Sequence, residues 1–218
     1  MTTTYDSFLP EIMPYVHDVP EFVAINAIRN SAIEFCNRSE VWRYEYPTIN
    51  SVALQGDYPF SSTSLPTTDC EVKRIYQGFY NYTPVIPMST EDLASIYINQ
   101  DWRTVAGNPR YVTQKTPATF TLVPGPIVAI TAAINLIVVL QPTRTSTGVD
   151  DYVYSQWAEH IAAGARARLY DTPNQPYYDP GKAALYHAKF VSAISTAKAD
   201  RNRGLGRATP KVRPPRFF

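Results

Sequence analysis

DYVYSQWAEHIAAGARARLYD, Asp151 to Asp171, is the natural starting point, because no other stretch has so clear a period. Val153, Trp157, Ile161, Ala165 and Leu169 recur every four residues and predict a helix with one apolar ridge, which Asp150 can cap. Ala162, Ala163, Gly164 and Ala167 keep the ridge's neighbourhood thin. Small side chains let a second helix approach closely, from the same chain or from a neighbouring copy. Asp150 and Asp151 stand at the start and Arg166 and Arg168 near the end, the order that a helix dipole favours.

Downstream, TPNQPYYDP (172–180) reads as a loop, and Asp179-Pro180 opens a last helix that runs to about Ala199. Each of these two helices is about 30 Å long at 1.5 Å per residue. They predict a helical hairpin over residues 148–200.

Upstream, residues 1–40 also read as helical. SFLPEIMPYV (7–16) predicts a short helix ending near Pro14. Asp18 can cap a second helix whose first turn tolerates Pro20, with Glu21 opening it and Arg38 closing it. Phe22, Ile25, Ile28, Ala32, Phe35 and Cys36 form its apolar stripe.

Between these helical ends, residues 41–147 change texture. WRYEYPTI, SVALQ, EVKRIYQGFYNY, PRYVTQ, TFTLVP and INLIVVLQP are β-branched and aromatic, and turn residues such as Gly56-Asp57, Gly78, Asn81 and Pro124-Gly125-Pro126 divide them. This predicts an antiparallel β-region, interrupted by a short helix over Ser89–Ile98 with Ser89 as its cap. The run Ile127–Leu140 (IVAITAAINLIVVL) is too short to span a bilayer and reads as strand and core. The fold class is α+β.

The last eighteen residues, RNRGLGRATPKVRPPRFF (201–218), differ from everything before them. The whole chain carries +1 and this segment carries +6, so residues 1–200 carry −5. Ordering it alone costs roughly 1–2 kcal/mol per residue in backbone entropy. Burying two phenylalanines returns only about 3–6 kcal/mol. The segment therefore reads as an extended basic tail that folds onto something else. As a docking strap, its prolines fix an extended backbone, its cations pair with acidic walls, and Phe217 and Phe218 anchor its end. As a nucleic-acid arm, its cations neutralise phosphates. Terminal aromatics favour the strap. Fully extended, it reaches about 60 Å.

Composition supports a protein whose surface meets other proteins: charged residues are sparse at 18%, while aromatics reach 13%. A tyrosine-rich β-domain has the same look. An acidic body argues against DNA binding along its surface. Cys36 and Cys70 are too few for a disulfide framework or a metal cluster. MTTTYDSFLP lacks the pattern of a signal peptide, which predicts synthesis in a cytoplasm without a membrane anchor.

No catalytic constellation stands out. His17, His160 and His187 have no metal-ligand spacing; His187 reads as a packed or interface residue and His160 as a solvated or interface one. Gly204-Leu205-Gly206 follows a helix rather than a strand, so it reads as a flexible joint and not as a phosphate loop. Glu91-Asp92 and Asp150-Asp151 sit where helix N-termini want negative charge. Asn37-Arg38-Ser39 and Asn81-Tyr82-Thr83 match a glycosylation pattern by chance. No catalytic residue, cofactor or metal is expected.

Several segments together resemble one family. DSFLPEIMPYVHDVPEFVAINAIRNSAIEFCNRSEVWR, the STEDL helix start, DW followed by GNPRYVTQ, the VPGP and LQPT strand ends, EHIAAGARARLYDTPNQPYYDP and the basic tail with final phenylalanines resemble the head-to-tail adaptors of short-tailed (podovirus-like) bacteriophages and prophages. These are similar in role to tail tubular protein A. The resemblance implies a structural virion protein without enzymatic activity, located in the neck between capsid and tail. It implies a helical bundle from residues 1–40 and 148–200 carrying the β-rich insertion 41–147, with the tail 201–218 extended. It also implies a homo-oligomeric, twelvefold ring with a portal protein on one side and a tail nozzle or tube protein on the other. DNA would pass only as cargo in the lumen, and no membrane is involved. Portal binding falls on Arg207, Lys211, Arg213, Pro214, Pro215, Arg216, Phe217 and Phe218. Subunit packing falls on the two C-terminal helices, with Trp157, Ile161, Gly164 and Ala165 at their contact. Two other readings remain open: a tail-completion or nozzle-facing neck protein, and a DNA-binding module that uses the basic arm.

Overall fold

The computed structural model describes residues 2–203, and the chain divides into two compact units. Among the described residues, one comprises 2–3 and Trp42–Asp151; the other comprises Thr4–Val41 and 152–203. The fold is α+β.

The first unit holds the strands. In chain order they are β1 (Thr2–Thr4), β2 (Arg43–Ile49), β3 (Asp57–Pro59), β4 (Cys70–Tyr80), β5 (Thr83–Pro87), β6 (Ala106–Gly107), β7 (Tyr111–Thr116), β8 (Thr119–Val123), β9 (Gly125–Pro126), β10 (Ile134–Pro142) and β11 (Gly148–Asp150). Seven form one sheet in the order β2-β10-β4-β5-β7-β8-β3. Its two edges approach each other: the Tyr46 ring meets Phe60 edge-on at 5.3 Å, and the Ser61 amide donates to the Tyr46 hydroxyl at 2.7 Å. The sheet is therefore curled. Phe120, Leu122, Ile134, Val138 and Leu140 lie fully inside it. Each such side chain contributes about 1.5–3 kcal/mol.

The expectation of a purely antiparallel region needs one correction. β5 and β7 pair in parallel, with Ile86 opposite Tyr111, and the short strands β6 and β9 also pair in parallel, with Ala106 opposite Gly125. Parallel neighbours need a long crossover, and the helix Thr90–Ile96 lies within the β5–β7 connection. Ser89 caps this helix by accepting from the Asp92 amide at 3.1 Å, and Leu93 packs inward with Trp102 and Val123. A second correction concerns Ile127–Leu140. The strand starts only at Ile134, and Ile127 and Val128 are exposed on the preceding loop. An apolar run records burial somewhere along it, and position 132 turns left-handed just before the strand starts.

The second unit holds three long helices, α1 (Glu21–Ser39), α3 (Asp151–Tyr170, whose first residue belongs to the strand unit) and α4 (Pro180–Arg203); the short helix Thr90–Ile96 is α2. A 3-10 helix over Tyr5–Glu11 precedes them. Phe35 of α1 is central: its ring lies 5.4 Å from Trp157 of α3 and 6.1 Å from Phe190 of α4.

Three expectations for this unit are revised. Asp18 does not cap α1; it sits at φ 59, and Pro20 occupies the cap position without a side-chain bond. Phe22 lies outside the buried stripe, which comprises Ala24, Ala27, Ile28, Ser31, Ala32, Phe35, Cys36 and Ser39. A stripe drawn by large side chains misses the small ones that carry the close contacts. Lastly, α4 does not stop near Ala199. It continues to Arg203, so Arg201 begins no extended tail but is helical. Its guanidinium reaches Glu40 at 2.6 Å and the Ser39 carbonyl at 3.1 Å, which holds the last turn.

Candidate functional site

The residues expected to bind a portal, Arg207, Lys211, Arg213, Pro214, Pro215, Arg216, Phe217 and Phe218, lie outside the described residues, as does the Gly204-Leu205-Gly206 joint. What the structure does give is the point from which that segment departs. α1 ends at Glu40, which caps it in a left-handed conformation at φ 58, with its amide donating to the Cys36 carbonyl. That turn presents both the Glu40 carboxylate and the Ser39 carbonyl to Arg201. The pair is well shielded, with side chains 16% and 11% exposed, so it is stronger than an ordinary surface ion pair.

Trp157, Ile161, Gly164 and Ala165 are all buried within their own unit. A Cβ on Gly164 would come within 2.7 Å of the Phe190 ring. The close approach that small residues permit is thus used between α3 and α4 of the same chain; Trp157, Ile161 and Ala165 are enclosed there, while Gly164 also borders a groove between the two helices. Periodicity identified the ridge but not its occupant, since a helix from another copy imposes the same demand.

Two features around the α3–α4 pair went unread in the sequence. On one side lies a groove of about 430 Å³ whose floor includes Ala167, Ala183 and Phe190. Its rim carries Glu34, Asp171 and Arg168, with His187 beside them. Glu34 is engaged with Arg38 at 2.8 Å and with Arg168 at 2.5 Å. On the other side, the Arg166 guanidinium lies between two tyrosine rings, 4.4 Å from the centroid of Tyr15 and 4.8 Å from that of Tyr186. Arg166 and Arg168 are two residues apart, about 200° around a helix. In the sequence both read simply as cations near a helix end, and only the packing separates them.

The Tyr186 ring stacks on Tyr170 at 5.8 Å, and Tyr170 donates its hydroxyl proton to the Tyr15 carbonyl. Burial pushes the Tyr170 phenol above its ordinary value. Lys182 and Lys189 extend over the same pair of rings, at 5.3 Å from Tyr170 and 5.3 Å from Tyr186.

The acid pairs have structural partners. Asp92 closes a reciprocal cap with Ser89, whose hydroxyl donates to its carboxylate at 2.7 Å. Asp151 accepts from the Thr3 hydroxyl at 2.6 Å. His160 packs edge-on against Trp157 at 5.6 Å. Cys36 and Cys70 are buried free thiols, and among the described residues there is no cluster of His, Cys, Asp and Glu suited to a metal. No described helix is long and apolar enough to cross a membrane.

The family model described as SU10 adaptor protein aligns with residues 3–214. No curated protein matches the chain.

Proposed function

Because the chain belongs to the SU10 adaptor protein family, a family of phage head-to-tail adaptors and hence of structural virion proteins, we propose that it is a ring-forming adaptor that docks on the portal through Arg207–Phe218. The opposite side of the ring takes the tail nozzle or tube, and DNA passes through the lumen as cargo. The helical unit forms the body of the ring, and the basic segment leaves it as an extended strap.

The observation that carries this reading is the extent of the family match, which runs from the first strand into the basic segment. The anchored last turn of α4 supports it. A strap transmits load only if its root is held, and Arg201 is held by Glu40. Each strap binds weakly after its ordering cost, but copies locked in one ring act together.

The test is a chain lacking Arg207–Phe218. It should remain folded and fail to co-sediment with the portal. Wild-type attachment by the truncated chain refutes the strap. Phe217→Ala with Phe218→Ala should weaken attachment more than Lys211→Ala, because terminal aromatics fill protein pockets. A DNA arm demands the reverse order and a steep loss of duplex affinity with salt.

A further inference from the structure

We infer that Arg166, with the tyrosines and lysines around it, is a docking site for an acidic segment of a partner protein, one of whose carboxylates seats on the Arg166 guanidinium. This goes beyond the adaptor reading, because attachment through Arg207–Phe218 neither requires nor excludes it.

Three elements of the helical unit build the site. α3 supplies Arg166 and, four residues on, Tyr170. α4 supplies Lys182, Tyr186 and Lys189, spaced by four and three, so they share one face. The segment before α1 supplies Tyr15, whose carbonyl accepts the Tyr170 hydroxyl proton and is thereby fixed beside α3. The rings of Tyr15 and Tyr186 flank the guanidinium, at 4.4 Å and 4.8 Å. A partner therefore reaches it along the N–H edge that the rings leave free, where the arginine fork meets a carboxylate with two parallel bonds.

What this arginine lacks is an anion. It is only 5% exposed, its Nε is enclosed with no hydrogen-bond partner, and its terminal nitrogens bond to no described residue. A cation so shielded is ordinarily paired, since burial removes the water that would solvate it. Two tyrosine rings offset only part of that loss. Lys182 and Lys189 add two more charges, each with its Nζ 5.3 Å from a ring of the Tyr170–Tyr186 stack. Asp179 is committed to Lys182, at 3.0 Å from its amide and 3.5 Å from its ammonium. Among the described residues no carboxylate pairs with Arg166 or with Lys189. Three cations thus stand against one carboxylate, and the one at the centre has none.

The shape of the site names a protein side chain rather than a phosphate backbone. Duplex DNA carries evenly spaced charges and is matched by a row of exposed cations. Here the central cation is recessed and two lysines stand over the rings beside it, which suits a single projecting Glu or Asp. Arginine and tyrosine are also the residue types enriched where partner proteins are held most tightly. Leu185, 54% exposed on the same face of α4 between the two lysines, and Tyr15, 50% exposed, supply apolar contact around the charge.

The test uses isotope-labelled full-length chain and a hexaglutamate peptide as the probe. The basic segment 207–218 also attracts such a peptide, so the readout is the Nε–H resonance of Arg166 itself, assigned by its loss in Arg166→Lys. It should shift saturably with peptide. Lys182→Gln with Lys189→Gln, both exposed, should weaken the apparent Kd read from that shift at least about tenfold, a factor equal to about 1.4 kcal/mol. Lys198→Gln, exposed and about half a turn around α4 from Lys189, should leave it unchanged. A resonance that stays in place at about millimolar peptide, or a shift indifferent to the loss of both lysines, overturns the site. So does a tighter response to inorganic phosphate or to duplex DNA than to the peptide. A resonance that moves with protein concentration alone gives the site to a second copy and overturns it too.

Discussion

The Arg201 guanidinium lies 2.6 Å from the Glu40 carboxylate and ties the last turn of α4 to the C-terminal cap of α1, across 161 residues of sequence. A charge-assisted bond in a shielded place contributes about 1.5–3 kcal/mol. Arg201→Met should lower the urea midpoint by a corresponding amount without changing the slope. Arg201→Lys should recover only part, because a single ammonium cannot reach both the carboxylate and the Ser39 carbonyl in the fork geometry of arginine.

Gly164 is required by Phe190. Gly164→Ala places a methyl 2.7 Å from an aromatic ring held by Phe35 on another side, so one helix has to shift. Overpacking of this kind costs about 1–3 kcal/mol. Adding Phe190→Leu should return part of the loss, and a double-mutant cycle by chemical denaturation measures that coupling.

Asp179 caps α4. The Lys182 amide donates to its carboxylate at 3.0 Å, and this bond, more than the Lys182 ammonium, holds the Asp179 carboxyl below its usual range. The stabilisation it gives is complete above the unfolded-state value and fades as pH falls through the lower folded value. Thermal midpoints of the wild type should therefore fall on acidification below about pH 4. Asp179→Ala should lower the midpoint at neutral pH and flatten that part of the acid slope.

Burial pushes the Cys70 thiol above its ordinary value, and Cys36 is fully enclosed. Neither thiol should react with iodoacetamide in the native protein at neutral pH, and both should react at once in denaturant. Rapid native labelling of either shows that its enclosure opens, and mass spectrometry of the alkylated protein identifies which.

Much of this architecture is legible in the residues themselves. Val153, Trp157, Ile161, Ala165 and Leu169 mark a buried ridge because a helix brings every fourth residue to one face, and all five are buried. Ser89 marks a cap because its hydroxyl satisfies an amide that the helix leaves open. Less legible were features that depend on which neighbour arrives. Asp18 has the chemistry of a cap but sits in a left-handed turn, and Phe22 lies on the apolar stripe yet is exposed. Ile127 and Val128 are as apolar as the strand that follows them, yet they stand in solvent because the chain turns before the strand starts. The surroundings of two arginines were hidden for a similar reason. Arg166 and Arg168 differ in the sequence only by position, while one lies between tyrosines and the other bonds to Glu34.

The order of residues alone determined the alternation of helix, strand and helix, the charge division between an acidic body and a basic end, and the family to which the pattern belongs, since period, turn chemistry and composition are local properties. Only the tertiary structure decided that the thin face of α3 is filled by Phe190, that α4 runs on to Arg203, and that Arg166 and Arg168 meet different neighbours on opposite sides of one helix. Those outcomes depend on contacts between residues far apart in the chain, whose energies no single segment contains.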